Sequence, residues 1–144
     1  LLVELHAAGV GPLSDVAARS GVTLHGAIPQ ESLPMFYSSV DVVIVPSTCA
    51  EAFGRVAVEA MAAGRPLIAS NIGGLRDIVG ACAGVTLVLA NSPSAIKDAL
   101  QRYILVPSHC PKDGALCRSY IHSKYLAPAI TKELARFLNR YASE

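Results

Sequence analysis

Val42-Val43-Ile44-Val45 constrains this chain more than any other stretch: four consecutive β-branched residues between Asp41 and Pro46. Branching at Cβ favours extended backbone, and an apolar run without alternation fits a strand buried on both faces, as at the centre of a parallel sheet. A short polar loop follows. Then comes a helix opened by Gly54 and closed by Gly64, with Val56, Ala57, Ala60 and Met61 expected toward the sheet. The same alternation runs on through a strand at 66–70, a turn at Gly73-Gly74, a short helix from Leu75 to about Gly80 and a strand at 85–89. Asn91-Ser92-Pro93 opens a longer helix to about Val106, with Ile96, Leu100 and Ile104 on one stripe. Upstream, strands are expected at 1–5 and 22–25 and helices at 14–19 and 31–39. Downstream, 107–114 reads as a loop, and 115–125 and 128–141 read as helical. Strands alternating with helices at this spacing imply an α/β fold, a Rossmann-like and mostly parallel sheet with helices on both faces.

A chain of 144 residues is the size of one domain, and its hydrophobic half, with no tryptophan, suits an aliphatic interior. Its apolar runs are too short to span a bilayer, and no secretory signal opens it. It begins at Leu1, inside an apolar run and without methionine, so a piece of a longer protein is expected. Charge is uneven. Residues 1–90 carry four arginines, no lysine and seven acids, whereas 91–144 carry eight basic residues against four acids. A solvated helical surface accounts for this tail, although contact with an acidic membrane stays open; no aromatic-interleaved basic patch favours nucleic acid. Cys49, Cys82, Cys110 and Cys117 show no paired or zinc-type spacing and read as reduced thiols of a cytoplasmic protein, with an approach of Cys110 to Cys117 left open. The four histidines follow no metal-ligand pattern, so no metal is expected.

The helix opened by Gly54 carries the chemistry. Its amino terminus offers unpaired N–H groups and partial positive charge, a setting that favours phosphate. Glu51 lies in the preceding loop and Glu59 in the second turn. These carboxylates accept hydrogen bonds from hydroxyls and repel a bare phosphate. Together they suit a ligand with a diphosphate in its middle and a sugar at each end. Either acid alone reads more simply, Glu51 as a helix cap and Glu59 as a solvated residue.

These segments, Asp41 to Ser47, Glu51-x-Phe53-Gly54-x-x-x-x-Glu59-Ala60-Met61-Ala62-x-Gly64-x-Pro66, and Asn71-x-Gly73-Gly74-x-x-Asp77-x-Val79, resemble the large retaining family called glycosyl transferase group 1. The resemblance implies the C-terminal, donor-binding half of a GT-B fold, with its first strand missing, as one domain over 1–144 whose last helices occupy about 111–144. It gives Glu51 the catalytic role, contacting the transferred sugar and stabilising its developing positive charge. It gives Glu59 the ribose, and backbone amides of Phe53, Gly54, Arg55 and Val56 the donor's phosphates and hydroxyls. Gly26, Ala27 and Ile28 would lie near the base. The implied substrate is a nucleoside diphosphate sugar, with no further cofactor and no metal. The implied partners are a missing N-terminal acceptor domain and, through an incomplete sheet, a second copy of the chain. The implied location is cytoplasmic, peripheral membrane contact staying open. The basic pair that the family carries just upstream is not in this sequence, so the segment by itself is expected to turn nothing over. Two rival readings share the architecture: a sugar-nucleotide epimerase, which needs an acid/base constellation, and a non-catalytic module that binds nucleotide or assembles with a partner.

Overall fold

A computed structural model describes residues 3–126 and Pro128. The chain packs as two units, residues 1–39 and 40–144. In the first, strand β1 (His6–Ala7) pairs in parallel with β2 (Thr23–Leu24), joined through helix α1 (Ser14–Arg19). The expected strand at 1–5 is displaced toward the carboxyl side. Among the described residues of that stretch, Leu5 joins the ladder, its carbonyl accepting from the Thr23 N–H at 2.8 Å. His6 Nδ1 and His25 Nε2 meet at 2.9 Å across the pair. A 3-10 turn (Gln30–Ser32) leads into α2 (Leu33–Ser38), which buries Tyr37 and carries Pro34 in its first turn, where a missing N–H leaves no bond unmade.

The second unit holds a three-stranded parallel sheet in the order β3 (Val43–Val45), β4 (Leu67–Ser70), β5 (Val85–Val88). In register Val43 faces Leu67, which faces Val85. Side chains alternate across this sheet and so build two cores. Val43, Val45, Leu67 and Ala69 pack with Ala57 and Met61 of α3 (Arg55–Ala62), Leu75 and Val79 of α4 (Gly73–Val79), and Cys117 and Ile121 of α6 (His109–Tyr125). Ile44 and Ile68 pack on the opposite face with Ile96, Ala99 and Tyr103 of α5 (Pro93–Leu105). Full burial of Leu67 and of Ile68 contributes about 1.5–3 kcal/mol each. The mixed α/β class, parallel strands and helices on both faces are therefore as expected.

Three local expectations are corrected. Gly73 and Gly74 form the first turn of α4 rather than a turn before it, and the loop before α3 packs directly on their bare backbone. Residues 109–114, read as loop, are the start of α6. Pro111 stands third in that helix, where its absent N–H would have no intrahelical partner, and Gly114 lets the helix backbone reach the Gly64 carbonyl. Val56, expected against the sheet, is half exposed. Cys117 lies beside Cys82, Sγ to Sγ 4.0 Å, rather than Cys110; all four cysteines are free thiols, and burial pushes the Cys117 thiol up. The helix expected over 128–141 lies outside the described residues apart from Pro128.

Candidate functional site

The loop between β3 and α3 ends in Gly54, which caps the helix with φ 67° and ψ 50°. That left-handed conformation is where glycine is free of a Cβ penalty. Space demands it as well, because a Cβ here would stand 2.6 Å from Leu75 Cδ1 and 3.7 Å from Glu51 Oε2. Among the described residues no side chain caps α3. The Gly54 carbonyl accepts from the Ala57 and Val58 N–H groups at 3.0 and 3.2 Å, which leaves the N–H groups of Arg55 and Val56 at the open end of the helix.

Glu51 is fixed from two sides. Its Oε1 accepts a 2.6 Å hydrogen bond from the Ser47 hydroxyl, and its backbone carbonyl accepts from the Gly74 N–H at 2.9 Å. Glu59 is held by Arg55, whose Nε lies 3.1 Å from Oε1; the arginine side chain is 74% exposed and that of Glu59 26%. A surface pair of this kind contributes only about 0.3–0.5 kcal/mol, so its effect is to orient the carboxylate rather than to stabilise the fold. Phe53, half exposed, meets the Tyr125 ring edge-on, centroids 6.2 Å apart. Tyr125 and Tyr120 of α6 both donate to the Ile78 carbonyl, at 3.3 and 3.1 Å, which ties α6 to α4 beside this loop.

The structure thus gathers Glu51, Phe53, Gly54, Arg55, Val56 and Glu59 around one helical turn, with Glu51 touching the cap residue and Glu59 paired to the first residue of the helix. Such a turn presents amides and a positive helix end between two acceptors of hydroxyl hydrogen bonds. Gly26, Ala27 and Ile28 follow β2 in the first unit. Gly26 has φ 65°, and its carbonyl accepts a bond from the Gly9 N–H at 2.6 Å. Sequence reasoning did not find Gly74 as the residue that seats Glu51, because two adjacent glycines read as a turn. It also missed the buried Asp113 between α5 and α6, whose Oδ2 lies 2.7 Å from Arg102 Nη2 and accepts from the Tyr103 hydroxyl at 3.2 Å. Burial and the Asp113 charge push the Tyr103 phenol up to about 12. Among the described residues no group of three or more His, Cys, Asp and Glu could hold a metal ion, and no helix is long and apolar enough to cross a membrane.

Comparison with known proteins gives consistent neighbours. A family model described as glycosyl transferases group 1 matches residues 2–105. D-inositol 3-phosphate glycosyltransferase of Streptomyces griseus is 34% identical over 115 residues, covering 77% of this chain and 24% of that protein. The chain spans about a quarter of the length of the curated relatives it matches. Among solved structures, sucrose-phosphate synthase from Thermosynechococcus elongatus superposes with a TM-score of 0.81 at 29% identity, covering 98% of this chain and 39% of that one. HepE of Anabaena, solved with UDP-glucose, shares the fold with a TM-score of 0.80 at 21% identity, covering 95% of this chain and 41% of its own.

Proposed function

The chain belongs to the glycosyl transferases group 1 family, and from that premise we propose that it forms the donor-binding part of an enzyme that moves a sugar from a nucleoside diphosphate sugar to an acceptor, with retention at the anomeric carbon. The observation that carries this reading is the open amino terminus of α3, capped by a left-handed glycine and bracketed by two oriented carboxylates. A diphosphate at that end would meet amides and a helix dipole, and the rings on either side would meet acceptors. UDP and UDP-glucose, with which HepE of Anabaena was solved, are ligands of this class.

In this reading, Glu51 faces the transferred sugar. As the bond to the leaving diphosphate breaks, positive charge develops on that ring, and a carboxylate held by Ser47 stabilises it without having to reorganise. Negative charge develops meanwhile on the diphosphate, which the first amides of α3 partly balance. Glu59, oriented by Arg55, accepts from ribose hydroxyls, and Gly26 to Ile28 border the base. No metal is required for these steps. The acceptor is held by a second domain, and the protein is cytoplasmic. A non-catalytic nucleotide-binding module would use the same cradle and would differ by lacking transfer.

The test uses the intact enzyme. Calorimetry with UDP-, GDP- and ADP-sugars identifies the base. Glu51→Gln abolishes transfer and leaves nucleotide affinity within about threefold, whereas Glu59→Gln weakens nucleotide binding about tenfold or more. Full activity in both variants refutes the assignment.

A further inference from the structure

The first unit brings together two side chains that lie far apart in sequence. His6 of β1 and His25, the residue after β2, are 19 positions apart, yet His6 Nδ1 and His25 Nε2 meet at 2.9 Å. The register explains it. His6 faces Thr23 across the parallel ladder, and His25 stands two positions on, so both rings leave the same face of the strand pair. His6 meets Glu4 through its other nitrogen, Nε2 to Oε2 3.5 Å, and His25 also meets the Phe36 ring of α2, centroids 5.1 Å apart. His25 is exposed and the His6 side chain is 29% exposed, so small ions reach both rings.

A carboxylate beside Nε2 of His6 favours the proton on that nitrogen, which leaves the Nδ1 lone pair to accept from His25 Nε2. The pair thus already converges on one shared proton. A metal ion can take that proton's place. The His25 proton then passes through solvent to its own Nδ1, both rings stay neutral, and each gives one lone pair to the ion. At metal–nitrogen bonds of roughly 2.0–2.1 Å, nitrogens 2.9 Å apart subtend about 90° at the metal. That is the angle between neighbouring ligands in the square or octahedral surroundings of Cu²⁺ and Ni²⁺, ions to which imidazole is suited. Glu4 stands where a carboxylate ordinarily stands behind a metal-bound histidine. Charge agrees, since residues 1–39 carry three acids against one arginine and no lysine.

We propose that His6 Nδ1 and His25 Nε2 chelate a divalent transition-metal ion of the nickel and copper type, with Glu4 as the carboxylate behind His6 and water on the remaining positions. The ion joins two strands that pair over only two residues each. It sits just before the bond from the Gly9 N–H to the Gly26 carbonyl and so fastens the end of β2. No residue assigned to the sugar donor ligates it.

The experiment is calorimetric titration of the intact protein, free of any affinity tag, with Ni²⁺ and separately with Mg²⁺. One equivalent of Ni²⁺ binds in the micromolar range, whereas Mg²⁺, which takes oxygen ligands, does not bind here. His6→Gln and His25→Gln each remove that equivalent or weaken it at least tenfold, with urea midpoints that match the parent's. Glu4→Gln weakens it about tenfold, the ordinary effect of losing an outer carboxylate. Electron paramagnetic resonance of the Cu²⁺-loaded protein shows two equatorial nitrogens in the parent and fewer in either histidine variant. Ni²⁺ affinity unchanged in both histidine variants overturns the proposal, as does the absence of binding heat at millimolar Ni²⁺. A parent copper spectrum with fewer than two nitrogens overturns it as well, even where a variant fails to fold.

Discussion

Replacing a glycine by alanine inside a helix ordinarily stabilises it by up to about 1 kcal/mol. At Gly74 the structure reverses the sign. A Cβ there would stand 2.1 Å from the Ala52 carbonyl oxygen, 2.6 Å from its carbon and 2.9 Å from the Glu51 oxygen. Comfortable contact needs roughly 3.5 Å, so the loop must retreat by more than 1 Å, and it is backbone, not a side chain able to swing aside. Forced displacement of this kind costs about 1–3 kcal/mol. The bond from the Gly74 N–H to the Glu51 carbonyl, 2.9 Å in length, is stretched as well, for a further ~0.5–1.5 kcal/mol. Set against the helical gain, the net expectation is a loss of about 1–3 kcal/mol. Glu51 moves with the loop, and a 1 Å misplacement costs transfer by the intact enzyme on the order of 10–100-fold. Urea unfolding and steady-state transfer rates read the two effects. Gly11→Ala is the control, since nothing lies within 4 Å of its Cβ position, and its effect stays within about 0.5 kcal/mol. A Gly74→Ala protein as stable as its parent, or as fast, refutes the close-packing argument.

Two further predictions concern the network joining α5 and α6. Asp113→Ala leaves Arg102 and Tyr103 without their shared acceptor. Because Arg102 is 43% exposed and regains water, the expected loss lies at or below the lower end of the ~3–5 kcal/mol for broken buried pairs, read by chemical denaturation. Tyr103 gives an alkaline signature. The folded state favours the neutral phenol up to about 12, while the unfolded phenol ionises near 10. Its contribution is therefore complete below pH 10 and is lost as pH rises from 10 toward 12. In Tyr103→Phe the slope of stability over that interval flattens, and an unchanged slope would show that the phenol does not titrate this way.

The central alternation from β3 to α5 was legible because the chain spells it locally: β-branched runs for strands, Gly54 and Gly64 at the ends of α3, Ser92-Pro93 at the start of α5. The pair of acids about α3 was legible for the same reason, since both sit within one turn or two of a helix that announces its own start. What escaped depends on neighbours distant in sequence. Pro111 and Gly114 read as loop until Gly64 is seen to require a bare backbone opposite it. Gly73-Gly74 read as a turn until Ala52 is seen lying on them. The Ser47–Glu51 bond and the Asp113 network escaped for a related cause, for a hydroxyl or a carboxylate carries no mark in sequence of the donor or acceptor that folding will bring to it.

Helix α6 lies on bare backbone at one end, where Gly114 meets the Gly64 carbonyl, and at the other its Tyr125 meets Phe53 beside the candidate site. The eleven residue steps from Gly114 to Tyr125 span about 17 Å and three turns. A helix clamped so behaves as an indexed shaft. Adding or deleting one residue anywhere along it would turn Tyr125 by about 100° away from the loop it braces, without altering a single residue of that loop. Point substitutions along the outer face of the shaft should therefore be tolerated, while a change in its length should not, because Tyr125 would lose its ring contact with Phe53.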